Sequence, residues 1–242
     1  MDLPMKIGLL KCGQTLPEVI EGHGDFDAMF IRLLAPYGFD FEVWDVEHMD
    51  FPASVADADG WLLTGSKHGA YEDHAFIPPL EEFIRRAWAA AVPMVGICFG
   101  HQIIAQALGG KVVKFPGGWA VGRRTYDFDG LGEIALNAWH QDQVVELPPD
   151  ARVVARNDFT QAAALRYGDT VFTLQPHPEL SPEMIRIYVD VRKDMPTYPR
   201  PMMEQAAADC ALPTDAARIA AEIAAHFRAA VVAEPLRSAA HG

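Results

Sequence analysis

The chain has 242 residues, half of them hydrophobic and a tenth aromatic, which is ample for a buried core and ordinary for a globular enzyme. Its formal net charge of −13 argues against the basic face that a nucleic-acid partner requires. No apolar run is long enough for a bilayer span, the start Met1–Lys6 lacks a secretory apolar segment, and three scattered cysteines make no disulfide framework, so a cytoplasmic protein is expected.

In chain order, Lys6-Ile7-Gly8-Leu9-Leu10 reads as a buried strand. Phe26, Met29, Phe30, Leu33 and Leu34 then mark one face of a helix with Asp25 as its N-cap. Phe39, Phe41 and Val43 alternate with Asp40 and Glu42, which predicts a second strand after Gly38. Trp61-Leu62-Leu63-Thr64-Gly65 is a third, leading into the polar loop Ser66–Asp73. A helix is expected over Pro79–Ala90, with Glu81, Glu82, Arg85 and Arg86 paired on its solvent side. Strands alternating with helices imply a mostly parallel sheet covered on both faces.

Pro93–Ile97 is a further buried strand, and Ile103, Ile104, Ala107 and Leu108 return at helical spacing before Gly109-Gly110. Between strand and helix lies Cys98, with Gly96 and Gly100 on either side. A turn that sharp needs glycines for close strand–helix packing. It places the sulfur at a helix N-terminus, where unpaired N–H groups and the helix dipole favour thiolate.

After Gly110 the pattern changes to short strands at Lys111–Phe115, Arg123–Tyr126, Glu133–Leu136, Arg152–Ala155 and Gln161–Leu165. These read as meander or hairpin additions. Val171–Gln175 returns to a buried strand and delivers Pro176-His177-Pro178-Glu179. A helix from Pro182 to Lys193 follows, and the Pro-rich Met195–Pro201 is a connector. Thr214-Asp215 caps an Ala-rich helix whose apolar stripe is Ile219, Ile223, Phe227 and Val231, and the tail from Glu234 to Gly242 is expected to be disordered.

A cysteine nucleophile needs a base, and the base needs an orienting group. His177 follows a buried strand between two prolines that restrict its backbone, and Glu179 stands two residues on. Taken singly, Cys98 also fits a buried structural thiol and Pro-His-Pro a rigid turn. Their co-occurrence favours chemistry. Cys12 and Cys210 read as structural, His101 as a packing residue, and Glu72-Asp73-His74 as a solvated loop for want of a second ligand group. No metal site is assigned.

Gly96-Ile97-Cys98-Phe99-Gly100-His101-Gln102 and Gln175-Pro176-His177-Pro178-Glu179 resemble the two signature segments of the class I glutamine amidotransferases, the Cys-His-Glu family. The first strand, the Thr64-Gly65-Ser66 loop and the His140-Gln141-Asp142 segment arrive in family order, so the resemblance covers nearly the whole chain. Phe99 departs from the commoner leucine, which is expected to spare the thiol while reshaping the pocket. The resemblance implies an α/β fold with a flavodoxin-like, mostly parallel sheet flanked by helices, with added short antiparallel strands. It also implies a single domain over residues 1–242, with a C-terminal helical extension over about 198–233.

Carried over residue by residue, the resemblance implies catalytic Cys98, His177 and Glu179, an oxyanion hole from Phe99, Gly65 and Ser66, and substrate contacts from Gln102, Trp139 and His140. No cofactor is implied. The expected activity is hydrolysis of a γ-glutamyl amide, in glutamine or a γ-glutamyl peptide or metabolite, through a γ-glutamyl thioester. No fused synthase domain is expected, and the motifs are similar to the lone γ-glutamyl peptidase and GMP-synthase-like branch. Two alternatives stand beside a free hydrolase: a glutaminase subunit passing ammonia to a separate synthase, and a non-catalytic binding or regulatory module. The expected partner is a small γ-glutamyl substrate, with no nucleic acid and no membrane.

Overall fold

The computed structural model describes residues 4–238. In chain order its elements begin with β1 (Lys6–Leu10), α1 (Pro17–His23), α2 (Phe26–Leu34), β2 (Asp40–Trp44), β3 (Gly60–Leu63) and α3 (Ile77–Ala89). The middle of the chain forms β4 (Met94–Ile97), α4 (Phe99–Ala107), β5 (Lys111–Lys114), β6 (Ala120–Phe128), β7 (Gly132–His140) and β8 (Asp142–Glu146). Then come β9 (Ala151–Arg156), β10 (Ala164–Tyr167), β11 (Val171–Leu174), α5 (Pro182–Arg192), α6 (Arg200–Asp209) and α7 (Ala216–Ser238).

Among the described residues, one sheet of nine strands runs in the order β2-β1-β3-β4-β11-β10-β9-β6-β7, and β5 and β8 form a separate pair. The portion from β2 to β11 is parallel throughout. From β11 onward every pairing is antiparallel. The short strands of the second half are therefore a continuation of the main sheet, longer than expected at β6 and β7. Only β5, with the unforeseen β8, stands apart.

Alternation along β1 distributes the core to both faces. Ile7 and Leu9 join Phe30, Leu34 and Phe227 under α2 and α7, whereas Leu10 joins Trp61, Phe83 and Ile104 under α3 and α4. Gly8 is glycine because a Cβ there would lie 2.1 Å from the Trp61 ring. That ring is fully buried and packs edge-on against Phe83 at 4.9 Å.

Asp25 caps α2 as expected, its carboxylate accepting from the Phe26 and Thr15 amides at 2.9 Å. Helix α1 goes beyond the elements expected from periodicity; Pro17 at its first position supplies the preset φ that starts a helix. Helix α6 begins at Arg200, so the Pro-rich connector is shorter than it reads. In α7, Ile219, Ile223 and Phe227 are fully buried against this chain's own sheet, each contributing about 1.5–3 kcal/mol by area. The helix continues to Ser238, past Glu234 where the disordered tail is expected to start, and the rest of that tail, 239–242, lies outside the described residues.

Candidate active site

Parallel strands deliver their C-terminal ends to one edge of the sheet, where ligand crevices of open α/β sheets form. At that edge β1 ends before Cys12, β3 before Thr64-Gly65-Ser66, β4 before Cys98 and β11 before Gln175-Pro176-His177. Strands β4 and β11 are direct neighbours, with Ile97 opposite Leu174 and the Cys98 amide donating to the Leu174 carbonyl at 2.8 Å. Two residues far apart in sequence, Cys98 and His177, are thus brought to adjacent strand ends.

Cys98 has φ 53° and ψ −102°, a left-handed backbone that costs a non-glycine residue about 1–3 kcal/mol. Its neighbours hold it there. A Cβ on Gly96 would lie 2.5 Å from the Gly100 carbonyl oxygen, and one on Gly100 would lie 2.3 Å from the Leu63 carbonyl oxygen. Both contacts are to backbone, so only glycine lets α4 approach β3 and β4 this closely. The Gly100 amide donates to the Thr64 carbonyl at 3.1 Å and ties the elbow to the β3 loop. Among the described residues no acceptor takes the amides of Phe99, Gly65 or Ser66.

His177 is nearly fully buried, and its Nδ1 lies 2.6 Å from Glu179 Oε1, whose side chain is wholly buried. Its amide donates to the Asn137 carbonyl on β7 at 2.8 Å, and Asn137 in turn donates to the Leu180 carbonyl. Phe26 stacks on the imidazole, ring centroids 6.4 Å apart. Gly65 lies beneath it, where a Cβ would come within 3.2 Å of His177 Cε1. Burial by itself disfavours the imidazolium. The Glu179 charge, together with the charge and hydrogen bonding of Cys98, overrides that and raises the His177 pKa well above the usual histidine value. With Nδ1 held by Glu179, Nε2 is the ring nitrogen left for Cys98.

Cys98 and His177 line a cavity of about 490 Å³. Of the other expected residues, Ser66, Gln102, Trp139 and His140 also line it. Gln102 is committed to the scaffold through its amide nitrogen, which donates to the Asp142 carbonyl at 3.0 Å and to Gln175 Oε1 at 3.1 Å. Only its carbonyl oxygen is left to face a ligand. His140 directs Nδ1 at the Asp142 carbonyl, 3.3 Å away, so its Nε2 is a buried acceptor with no partner among the described residues. Burial, reinforced by the charge of His177, pushes its pKa down to about 3 and keeps it neutral.

Several lining residues lie outside the expected set. Trp119, Tyr188, Arg192 and Tyr198 build one wall, and Lys67, Tyr71 and Lys114 also line the cavity. The Arg192 guanidinium lies 5.0 Å from the Tyr188 ring and 5.4 Å from the Trp139 ring. Trp119 and Tyr198 are 4.6 Å apart. Both are aromatics set among Pro and Gly in loop sequence, and that is the readable signal.

The remaining cysteines behave as structural groups. Cys12 is fully buried with its thiol against the Leu10 carbonyl, and burial raises its pKa strongly. Cys210 sits between the Ala207 carbonyl and the Arg186 guanidinium. His101 is buried on Thr173, and burial holds its pKa down to about 3.

The family described as glutamine amidotransferase class-I matches residues 18–186. Gamma-glutamyl peptidase 3 of Arabidopsis thaliana is 29% identical over 208 residues, 79% of this chain and 82% of that protein. A glutamine-hydrolyzing GMP synthase subunit of Methanopyrus kandleri is 30% identical over 179 residues, 67% of this chain and 88% of its own. Among solved structures, a glutamine amido transferase from Methylobacillus flagellatus superposes with a TM-score of 0.72 at 22% identity, over 94% of both chains. That last likeness establishes the fold.

Proposed function

This chain belongs to the glutamine amidotransferase class-I family, and from that premise we propose that it hydrolyses γ-glutamyl amide bonds through a thioester on Cys98. The observation that carries the reading is the Cys98–His177–Glu179 arrangement at adjacent strand ends, opening on one cavity. The Cys98 thiolate attacks the γ-carbonyl carbon, and the carbonyl electron pair moves to oxygen. Backbone amides of Phe99 and of Gly65 or Ser66 receive that oxyanion, each contributing about 3 kcal/mol to the transition state. His177 gives its Nε2 proton to the leaving nitrogen as the C–N bond breaks. Water, deprotonated by the same nitrogen, then attacks the thioester and releases glutamate and the cysteine. Glu179 holds the imidazole in the tautomer both steps need.

Gln102, Trp139 and His140 take the glutamyl end in this reading.

A γ-glutamyl peptide or similar metabolite fits the cavity better than glutamine alone. Its volume, about 490 Å³, lies in the range of about 300–1,000 Å³ typical of sites for drug-sized ligands. Its lining carries Lys67, Lys114 and Arg192 against Glu72 and Asp142, a cationic balance in a chain of net charge −13, which complements a leaving group bearing a carboxylate. The second reading, a glutaminase working with a separate synthase, is favoured by the likeness to the Methanopyrus kandleri protein. A docking face for such a partner calls for exposed apolar side chains at the cavity mouth. Among the described large hydrophobics that are exposed, Tyr71 alone lines the cavity.

The test is to incubate the purified chain with glutamine and with γ-glutamyl dipeptides and measure the ammonia or amine released. Dipeptide turnover exceeding glutamine turnover, and lost in Cys98→Ala with an unchanged circular dichroism spectrum, is the expected result. Glutamine turnover that arises only with an added synthase favours the second reading. No turnover, together with no labelling of Cys98 by an electrophilic glutamine analogue, overturns both and leaves a binding module.

A further inference from the structure

The loop from Ser66 to Phe76 carries a second cluster that the hydrolytic reading does not use. His68, Glu72 and His74 each offer one ligand atom, and all three atoms lie within 4.8 Å of one another. Glu72-Asp73-His74 alone has no second ligand group; the turn closed by the Glu72 amide on the Gly69 carbonyl brings His68 back over it. The His68 and His74 rings stand 4.0 Å apart.

The individual distances are those of a ligand set. Glu72 Oε2 is 2.8 Å from His74 Nε2 and 3.9 Å from His68 Nδ1. Two donors each about 2.0–2.2 Å from a tetrahedral zinc ion are about 3.3 Å apart, so these separations bracket what such an ion requires. Two imidazoles and a carboxylate are also the donor types that a borderline cation prefers over calcium or magnesium.

A second observation comes from the other side of His68. Its Nε2 lies 2.8 Å from Glu47 Oε1, at the far end of the ring from Glu72. Donation from Nε2 to Glu47 fixes the tautomer that leaves the Nδ1 lone pair facing Glu72 and His74. A carboxylate on the opposite ring nitrogen is the usual way proteins orient a metal-bound histidine. Lys67 binds the same Glu47 oxygen at 3.0 Å, whereas Glu47 Oε2 is buried without a hydrogen-bond partner among the described residues. A cation on His68 would offset part of that buried negative charge.

We propose that His68, Glu72 and His74 form a binding site for a single zinc-like divalent cation at the rim of the hydrolytic cavity, with Glu47 orienting His68. His68 and Glu72 belong to the cavity wall. Three protein ligands leave a fourth position, which takes water or a carboxylate of a molecule held in the cavity. The site does not depend on the hydrolytic reading, because none of its ligands takes part in that chemistry.

The experiment is titration of the chelator-treated 242-residue chain with zinc sulfate by calorimetry, and with cobalt(II) by visible absorption. One ion per chain is expected, with the intense d–d bands of four-coordinate cobalt and no sulfur-to-metal charge-transfer band. His74→Ala should abolish this binding; the side chain is 35% exposed, so the fold should tolerate its loss. Glu47→Gln should weaken it about 10–100-fold. Absence of binding overturns the proposal, as does binding that survives both His74→Ala and Glu72→Gln. A thiolate band that vanishes in Cys98→Ser would place the ion on the nucleophile and overturn it as well.

Discussion

The two walls of the cavity are built on different principles. One consists of Cys98 and His177, with Glu179 buried behind the imidazole; these follow closely on the ends of the neighbouring strands β4 and β11 and are held by hydrogen bonds of 2.6 and 2.8 Å. The other consists of Trp119, Tyr188, Arg192 and Tyr198, which come from a loop, from α5 and from the turn before α6, and meet through tilted ring contacts and a guanidinium set over a ring. The first wall tolerates almost no displacement, since bond making depends on sub-ångström placement. Under the proposed function the second sets what is held beside the scissile bond, so reaction type and substrate range would be carried by separate parts of the molecule.

The sharpest test of that division is Glu179→Gln, which keeps the shape of the catalytic wall and removes its charge. Loss of the orienting carboxylate is expected to lower kcat about a thousandfold, measured by amine release at saturating substrate. Because the Glu179 charge helps raise the His177 pKa, the alkaline limb of the pH profile should also move to lower pH. Stability carries the same sign. A raised histidine pKa contributes stability that is fully present below the unfolded value of about 6.5 and is lost as pH rises through the folded value. The Tm advantage of the native chain over Glu179→Gln should accordingly shrink from pH 6 toward alkaline pH; an advantage that grows instead would contradict the buried ion pair.

Gly100→Ala probes the same wall through its backbone. The added Cβ meets the Leu63 carbonyl oxygen at 2.3 Å, so the elbow must move. A loss of about a hundredfold in kcat/KM is expected, with a lower Tm in thermal denaturation. Equal activity would mean the elbow is softer than its packing indicates.

The smallest effect is expected on the opposite wall. Arg192→Ala removes a guanidinium that spans the Trp139 and Tyr188 rings. KM for a carboxylate-bearing γ-glutamyl peptide should rise about tenfold while kcat changes about twofold or less, the signature of lost uniform binding. KM for glutamine should move less. A large fall in kcat would join the two walls into one unit and end the comparison.

The same division explains how legible each part is in the sequence. The elbow is readable because its demands are local: two glycines closely flanking a cysteine, between an apolar strand and an apolar helix face. His177 and Glu179 are readable because their close spacing lets one side chain reach the other directly, here 2.6 Å apart. The aromatic wall is not. Tyr188 reads as one more apolar position on a helix, and nothing local to Met195–Pro201 says that Tyr198 folds back over Trp139, 5.6 Å between rings. His68 is equally opaque, since its relation to Glu72 and His74 depends on how the loop turns.

Sequence alone carried the strand–helix alternation of the first half and the sharp glycine-flanked turn at Cys98, which follow from short-range rules of periodicity and backbone sterics. The family, and the kind of bond expected to be attacked, came from the resemblance of the two segments around Cys98 and His177 to the family's signatures. Tertiary structure decided that β9, β10 and β6 extend the parallel sheet, that α7 packs on this chain's own core, and that α5 and the turn before α6 wall the cavity. Those outcomes depend on which apolar surfaces bury one another across long stretches of chain. That is a global minimum of exposed area and unpaired backbone, with no local mark in the residues that take part in it.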